Sequence, residues 1–352
     1  MWKKLARRCA MAAVAAAAVM GTRGAWAWNY EGHLVVGEIA WQKLDAADKA
    51  AVTRILKAHP HYATYLTTGT EGASAAEKDE MAFVKAATWP DAVRPARAPY
   101  RPLIIDPADE KNVTQYHHAE WHFIDIAFVL PGDTKDAGLN GKGLDTSKGD
   151  AVTEIRKAAG GIASQEGAEQ KAVDLAWVEH LVGDVHQPLH AVTLISEEFP
   201  PPDGDRGGNS IVVSYVGESG KTSVTNLHAF WDGAVGNVQM EHFTAGSLGA
   251  LRKKAADFVA AHPEAGMAAQ MKKDATPEAW AEESYALAKK DVYEEGAIFK
   301  LPRPRTSYEL PAGYVERAHE VAESQVTLAG YRLAATVHAA LKAGGGGEAP
   351  KP

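Results

Sequence analysis

Cysteine is almost absent from this 352-residue chain, because Cys9 is the only one. Cys9 lies in an N-terminal segment that we expect to be removed, so the working protein would contain no disulfide bond. An exported protein without disulfides depends on its hydrophobic core or on bound metal ions for stability. With 46% hydrophobic residues, the chain has enough apolar material for such a core.

Positive charge is also in short supply, since 37 Lys and Arg residues stand against 45 Asp and Glu residues and the net charge is −8. This balance argues against a protein that binds phosphate backbones through a basic surface, as histones do. If the substrate is an anion, something other than lysine and arginine must attract it.

Long hydrophobic runs are missing too, and the apolar stretch at residues 10–20 is too short to span a bilayer. It follows a basic start and precedes Ala25-Trp26-Ala27, a pattern typical of a secretory signal peptide. We therefore expect residues 1–27 to be cleaved, Trp28 to become the first residue, and the protein to be periplasmic or extracellular. The cleaved segment holds five basic and no acidic residues, so its loss makes the net charge −13.

Neither an internal repeat nor an alternation of strands with helices is visible, which argues against a parallel α/β sheet. Apolar residues at helical spacing predict helices at residues 32–58, 77–87, 146–163, 170–184, 248–261, 277–290 and 313–343. Residues 210–216 and 221–226 predict a β-hairpin, and residues 95–109 and 199–208 are interpreted as loops. The fold is thus predicted to be mainly α, with a small β-hairpin, a single domain over residues 28–343 and a disordered tail at 344–352.

Histidine and aspartate recur at a spacing that suits a metal site. His180 and Asp184 are four residues apart, as are His228 and Asp232, so each pair would face one side of a helix. His190 follows two residues after a proline that turns the chain back. Neutral imidazole and carboxylate are standard zinc ligands. One such pair alone could be a helix-face ion pair, but the accumulation predicts a metal centre.

Four further candidate ligands lie upstream: Trp28, His33, Asp91 and His122. Asp91 follows Trp-Pro and could instead cap a helix. His117 and His118 compete with His122 for one ligand position, and spacing alone leaves that competition open. His186 lies off the face shared by His180 and Asp184, which favours a structural role.

The segments that carry these residues resemble the secreted zinc-dependent single-strand nucleases of the nuclease S-one and nuclease P-one type, with this chain as a bacterial member. The matching segments are Trp28-x4-His33, Trp-Pro-Asp91-x2-Arg94, Trp-His122-Phe-Ile-Asp125, His180-x3-Asp184-x-His-Gln-Pro-Leu-His190, Asp205-Arg-Gly-Gly-Asn209 and Asn226-Leu-His228-x3-Asp232. They follow the family order over more than half of the chain. The zinc-dependent phospholipases C share the fold and a three-zinc site, but they carry Glu where this chain has Asp232.

The resemblance implies a helical fold of the phospholipase C and zinc nuclease type that binds three Zn²⁺ ions. It assigns the first ion to Asp91, His122, His180 and Asp184, the second to His190, His228 and Asp232, and the third to His33, Asp184 and the α-amino nitrogen and carbonyl oxygen of Trp28. An α-amine has a pKa near 8 and can lose its proton to become a ligand. It is free only after the signal peptide has been removed.

The resemblance also implies hydrolysis of single-stranded RNA and DNA to 5′-phosphorylated products, and of 3′-nucleotides, by a hydroxide held between zinc ions. Asp91 and Arg94 are assigned to catalysis, with the Arg94 guanidinium on the phosphate. Phe123 would stack on a base, Asp125 would bind the edge of that base, and Asn209 and Arg94 complete the substrate-binding set. Three dications would make the pocket positive inside an acidic protein.

Two other functions remain open at this point. A zinc-dependent phospholipase C would act on phospholipid head groups, and a zinc-storage protein would bind metal without turnover. No stable protein partner is expected, and no membrane insertion after signal cleavage. The related fungal enzymes carry disulfides, whereas the cleaved chain has none, so metal loss is expected to destabilise this protein more.

Overall fold

The computed structural model describes residues 28–94, 115–133, 137–144, 147–217, 220–236, 243–302 and 306–345. The predicted signal segment 1–27 and the whole of the predicted loop 95–109 lie outside the described residues, as does the tail from residue 346. No helix among the residues described has the length and apolar character needed to cross a membrane.

The N-terminal part that the structure describes, residues 28–94, contains the α-helices α1 (Tyr30–Lys43), α2 (Ala46–Leu56), α3 (Ala75–Ala86) and α4 (Trp89–Ala92), with a short π-helix at Tyr62–Leu66. The prediction of one helix over residues 32–58 is wrong. Leu44 has an extended backbone that ends α1, and the Asp45 carboxylate accepts from the Asp48 amide and begins α2. The side-chain cap satisfies a free amide at the start of α2, so the chain turns although the apolar periodicity continues.

The central part contains α5 (Ala151–Ala163) and α6 (Ala168–Asp184), which pack along each other. α5 begins later than the predicted residue 146 because the Asp150 carboxylate caps it by accepting from the Thr153 amide. α6 ends at Asp184, as predicted.

The C-terminal part contains α7 (Leu227–Asp232), α8 (Leu248–Ala261), α9 (Glu264–Lys273), α10 (Pro277–Leu287) and α11 (Ala312–Ala343). The predicted helix at 248–261 is confirmed. α10 is shorter than predicted because the backbone continues as a wider π-helical turn over Ala288–Val292. α9 was not predicted, and only Met267 within it is buried.

The strands are short. β1 (Ala127–Val129) pairs in parallel with β2 (Thr193–Ile195). β3 (Val212–Val216) and β4 (Thr222–Asn226) form the predicted antiparallel hairpin, and β5 (Tyr308–Glu309) adds to β3 in parallel. The parallel pairings were not predicted, because each consists of only two or three residue pairs between segments that lie far apart in the sequence.

The core lies between α1, α6 and α11, with α3, α5 and α8 packed around these helices. Its largest fully buried side chains are aromatic: Trp28, Trp89, Trp177, Trp231, Tyr293, Tyr314, Tyr331, Phe83 and Phe128. The predicted mainly α fold with a small hairpin is confirmed, whereas the domain bounds 28–343 stay a prediction.

Candidate metal centre

Six short segments meet in the interior and bring the candidate ligands together. They are the first turn of α1, α4, the C-terminal end of α6, α7 and two 3-10 turns, Ala119–His122 and Pro188–His190. The eight His and Asp side chains of the predicted ligand set are all buried. They form three groups, and within each group the ligand atoms lie within 4.8 Å of one another.

The first group joins Asp91, His122 and His180. The His180 Nε2 atom lies 2.9 Å from His122 Nδ1, and the Asp184 Oδ2 atom lies 3.0 Å from His122 Nδ1 and 3.1 Å from His180 Nε2. The Asp91 Oδ1 atom is 3.7 Å from His180 Nε2 and 3.9 Å from His122 Nδ1. His122 therefore presents its Nδ1 atom to this group, while His180 presents Nε2.

The second group joins His190, His228 and Asp232. The Nε2 atoms of the two histidines face each other at 3.1 Å, and the Asp232 Oδ1 atom lies 3.5 Å from His228 Nε2. The Gln187 side-chain amide donates to the same Asp232 oxygen at 2.6 Å. Gln187 thus fixes the orientation of this carboxylate.

The third group joins His33, His180 and Asp184. The His33 Nε2 atom lies 3.3 Å from Asp184 Oδ1, and the His33 ring stacks on His180 with centroids 4.0 Å apart. A β-carbon at Gly183 would lie 2.9 Å from His33 Nδ1, so the glycine leaves room for this ring. Asp184 offers its two oxygens to different groups, Oδ2 to the first and Oδ1 to the third.

Backbone carbonyls fix the tautomers of three histidines. The Nδ1 atoms of His180, His190 and His228 donate to the carbonyl oxygens of Ala87, His122 and Gly207, at 2.8, 2.5 and 2.7 Å. A carbonyl oxygen can only accept, so in a neutral ring the lone pair is on Nε2. Those Nε2 lone pairs point at one another or at carboxylate oxygens, an arrangement that is unfavourable alone and suits a shared cation.

Unsatisfied buried atoms support the same conclusion. The His33 Nε2 and Asp184 Oδ1 atoms are buried and make no hydrogen bond within the described structure. Leaving a buried polar atom without a partner costs about 1–3 kcal/mol. The donor set of imidazole and carboxylate is the one that zinc prefers, so the residues present fit divalent metal ions.

Burial sets the protonation of the ligands. It lowers the pKa of His180 to about 4, and together with Arg94 it lowers the pKa of His122 well below the ordinary value, so both rings are neutral at pH 7. Burial raises the pKa of Asp184 to about 7. Burial opposes ionisation of Asp91 as well, but the nearby Arg94 guanidinium and the histidines lower the pKa of Asp91 overall.

Gln187 and Asp205 were not predicted as supporting residues, although both lie inside the quoted motifs. The Asp205 carboxylate is fully buried and accepts from the Leu194 amide, the Gly208 amide and the Tyr293 hydroxyl, at 2.8, 2.9 and 2.6 Å. It thereby organises the loop whose Gly207 carbonyl orients His228. A β-carbon at Gly207 would lie 2.5 Å from the Leu189 carbonyl, and its φ of +59° also favours glycine.

The structure describes all four predicted substrate residues, Arg94, Phe123, Asp125 and Asn209. Arg94 Nη2 is 2.7 Å from Asp91 Oδ1, so Arg94 holds a candidate ligand directly. Phe123 follows His122 and is partly exposed, and burial with the nearby Asp205 raises the pKa of Asp125 to about 7. The Asn209 amide donates to the Arg206 carbonyl within its own turn.

Of the three neighbouring histidines, His122 is the one that lies in a group of converging ligand atoms within the described residues. His118 stacks on Trp121 with ring centroids 3.7 Å apart, and neither His117 nor His118 belongs to a group of converging ligand atoms in the described structure. A fourth group of converging atoms consists of Asp45, Asp48 and His338, but it is partly exposed and its members cap α2 or pair with each other.

The sequence of this chain is similar to the sequences of known proteins. A family model described as S1/P1 Nuclease matches residues 28–342. Nuclease S1 of Aspergillus oryzae (strain ATCC 42149 / RIB 40) is 27% identical over 227 residues, which are 61% of this chain and 69% of that protein. Endonuclease 5 of Arabidopsis thaliana is 30% identical over 168 residues, 47% of this chain and 49% of that protein, and Endonuclease 4 of the same plant is 29% identical. The chain therefore spans about half the length of these plant relatives.

Proposed function

The chain belongs to the S1/P1 nuclease family, and we propose from this premise that it is an exported zinc-dependent endonuclease. Its substrates are single-stranded RNA and DNA, cleaved to 5′-phosphorylated products, and 3′-nucleotides. The observation that carries the proposal is the convergence of buried ligand atoms in three groups, two of which share His180. A nuclease without metal would gain nothing from this costly arrangement.

Three Zn²⁺ ions are assigned to the three groups of side chains. The first group, completed by Asp184, would hold one ion, the second group another, and His33 with Asp184 the third. Bound divalent ions would supply an activated water and neutralise the charge that develops on the phosphate. His180 belongs to two of the geometric groups, but its single Nε2 lone pair assigns it to the first ion.

Trp28 is proposed to complete the third group through its α-amino nitrogen and carbonyl oxygen. Its side chain is fully buried, and the next residue, Asn29, donates its amide to the Asp232 carbonyl at 3.1 Å. The start of the domain is thus anchored beside the ligand groups. The family match begins at the same residue.

Arg94 is proposed to bind the scissile phosphate while it holds Asp91. A guanidinium carries five donors in a planar fork, and the Asp91 contact uses one edge of that fork. Such a fork suits phosphate oxygens as well as a carboxylate. Asp91 therefore serves both as a metal ligand and as the anchor that orients Arg94.

Base binding is assigned to Phe123 and Asp125, with Asn209 at the border of the site. Phe123 is partly exposed next to a ligand residue, so its ring is available for stacking. Stacking on an aromatic ring is worth about 1–3 kcal/mol per base and requires a base that is not already stacked in a duplex. Stacking of this kind would favour single-stranded substrates, and it does not require a basic surface on the protein.

The charge of the site resolves the contrast between an acidic protein and an anionic substrate. Asp91, Asp184 and Asp232 bring three negative charges, and three dications would bring six positive charges. The pocket would therefore be positive, whereas the rest of the protein is acidic. Attraction of the phosphodiester depends on the ions and not on a lysine-rich surface.

The test is a parallel assay of the purified protein on single-stranded RNA, denatured DNA, duplex DNA and phosphatidylcholine vesicles. We expect cleavage of both single-stranded polymers, slower cleavage of the duplex, and no lipid hydrolysis. An Asp91→Asn variant should lose activity on all substrates. Hydrolysis of phosphatidylcholine without cleavage of nucleic acid would instead identify a phospholipase C, and zinc binding without any turnover would identify a storage protein.

A further inference from the structure

A buried arginine of the C-terminal helix reaches the end of α6. Arg332 in α11 is 3% exposed, which is rare for this residue type. Its Nη1 atom donates to His186 Nε2 at 2.7 Å, and its Nη2 atom donates to the Glu283 carboxylate of α10 at 2.9 Å. The guanidinium also lies over the Trp280 ring, 5.5 Å from its centroid.

The other ring nitrogen of His186 bonds a backbone carbonyl at the C-terminal end of α6. The Nδ1 atom donates to the Val182 carbonyl at 2.6 Å. In a longer helix the His186 backbone amide would bond this carbonyl, but here that amide donates to Gly183 at 3.1 Å. The carbonyl requires the proton on Nδ1, and arginine can only donate, so His186 Nε2 is the acceptor. Both contacts fix the same tautomer.

The segment around His186 contributes candidate ligands to all three groups. Asp184, whose two oxygens contact histidines of the first and third groups, lies two residues before His186. His190 of the second group lies four residues after His186. A second contact fixes the same turn, because the Ser284 hydroxyl of α10 donates to the Val185 carbonyl at 2.6 Å. The turn that sets the ligand positions is therefore held by α10 and α11.

We propose that Arg332 is a positioning residue of the metal centre: through His186 it fixes the turn at residues 182–190 and so sets the affinity for zinc. This inference rests on the zinc dependence proposed above. Residues that orient metal ligands from outside typically contribute about 10–100-fold to metal affinity. A planar guanidinium can donate to His186 and Glu283 together, whereas a lysine ammonium lacks this fork.

The experiment compares zinc affinity, measured by competition with a chelator, with the stability of the metal-free protein, measured by urea unfolding. Arg332→Lys is expected to weaken zinc binding at least about tenfold. The matched control is Arg317→Lys, in the same helix, because Arg317 contacts Glu294 and the Gly313 carbonyl near the surface. That control should change zinc affinity less than about twofold.

Substitutions of His186 distinguish positioning from general packing. His186→Gln keeps one acceptor and one donor, so its zinc affinity should stay within about threefold of the wild-type value. His186→Phe keeps the ring but neither hydrogen bond, and it should weaken zinc binding as much as Arg332→Lys does. Because the two residues act along one path, the double variant should lose little more than either single one.

The proposal is overturned if Arg332→Lys lowers stability while zinc affinity equals that of the wild type, since Arg332 would then support only the fold. Should Arg332→Lys fail to fold, Glu283→Gln, which removes the charge that orients the guanidinium, takes its place, and unchanged zinc affinity would again overturn it. A wild-type protein that binds zinc but cleaves no nucleic acid contradicts only the proposed function. A wild-type protein that binds no zinc contradicts both.

Discussion

Replacing Asp184 with asparagine tests the shared carboxylate, because Asn keeps the shape, removes the charge and leaves only one oxygen. The Asp184 Oδ1 atom lies 3.3 Å from His33 Nε2, and its Oδ2 atom lies 3.0 Å from His122 Nδ1. Two of the three ion sites therefore lose a ligand at once. We expect bound zinc to fall from about three to about one ion per chain, with loss of nuclease activity.

The same substitution should stabilise the metal-free protein. Burial raises the pKa of Asp184 from 3.8 to about 7, so the folded protein retains a proton that the unfolded chain releases. The contribution of Asp184 to the free energy of unfolding of the metal-free wild type is therefore largest at low pH, and it is lost as the pH rises towards 7. At about 1.4 kcal/mol per pKa unit, the ionised carboxylate costs on the order of 4 kcal/mol at pH 8.

Asparagine does not ionise, so the variant escapes this cost. Its stability relative to the metal-free wild type should improve by a few kcal/mol, on the order of 3 kcal/mol, between pH 5 and pH 8. Urea unfolding followed by circular dichroism at both pH values measures this change, and metal analysis counts the zinc. Asp174→Asn, in the same helix but outside the ligand groups, should keep the full zinc complement. Our reasoning is refuted if Asp184→Asn retains all its zinc, or if its stability relative to the wild type is the same at both pH values.

One N-terminal extension and two substitutions test other parts of the account. Two extra residues before Trp28 should block its α-amine and reduce bound zinc by about one ion; a full zinc count with undiminished activity would contradict this. Burial raises the pKa of Asp125 to about 7, so base preference in dinucleotide cleavage should change between pH 6 and 8 in the wild type but not in Asp125→Asn; parallel profiles would exclude a role in base recognition. Burial also raises the pKa of Glu38 to about 8, so its contribution to stability is lost as the pH rises from about 4.5 to 8. Glu38→Gln should therefore unfold at higher urea concentration than the wild type at pH 8.5, and an equal midpoint would contradict this.

The helices were predictable where apolar periodicity and capping agree, and less so where they conflict. The helix at 248–261 has the predicted bounds, but the Asp45 cap divides the predicted helix at 32–58. The parallel pair Ala127–Val129 and Thr193–Ile195 could not be predicted, because its residues meet only after the chain has folded. Local sequence signals therefore predict whether a segment is a helix or a strand, whereas the pairing of distant strands depends on the tertiary fold.

The candidate ligands were identifiable from the sequence because four-residue His/Asp spacing and ordered motifs place them on few segments. The hydrogen bonds that orient them were not identifiable. His180 donates to the Ala87 carbonyl and His228 to the Gly207 carbonyl, and a backbone carbonyl leaves no signature in the sequence. Arg332 lies 146 residues from His186 in the sequence, so the role proposed for Arg332 follows only from the fold.

The central claim is that the converging His and Asp side chains bind zinc ions on which nucleic-acid cleavage depends. The most direct measurement removes metal from the purified protein with a chelator, adds zinc back in steps, and follows cleavage of single-stranded RNA at each step. We predict that activity disappears with the metal and returns in full at about three zinc ions per chain. Cleavage at the original rate by protein shown to contain no metal would contradict the claim.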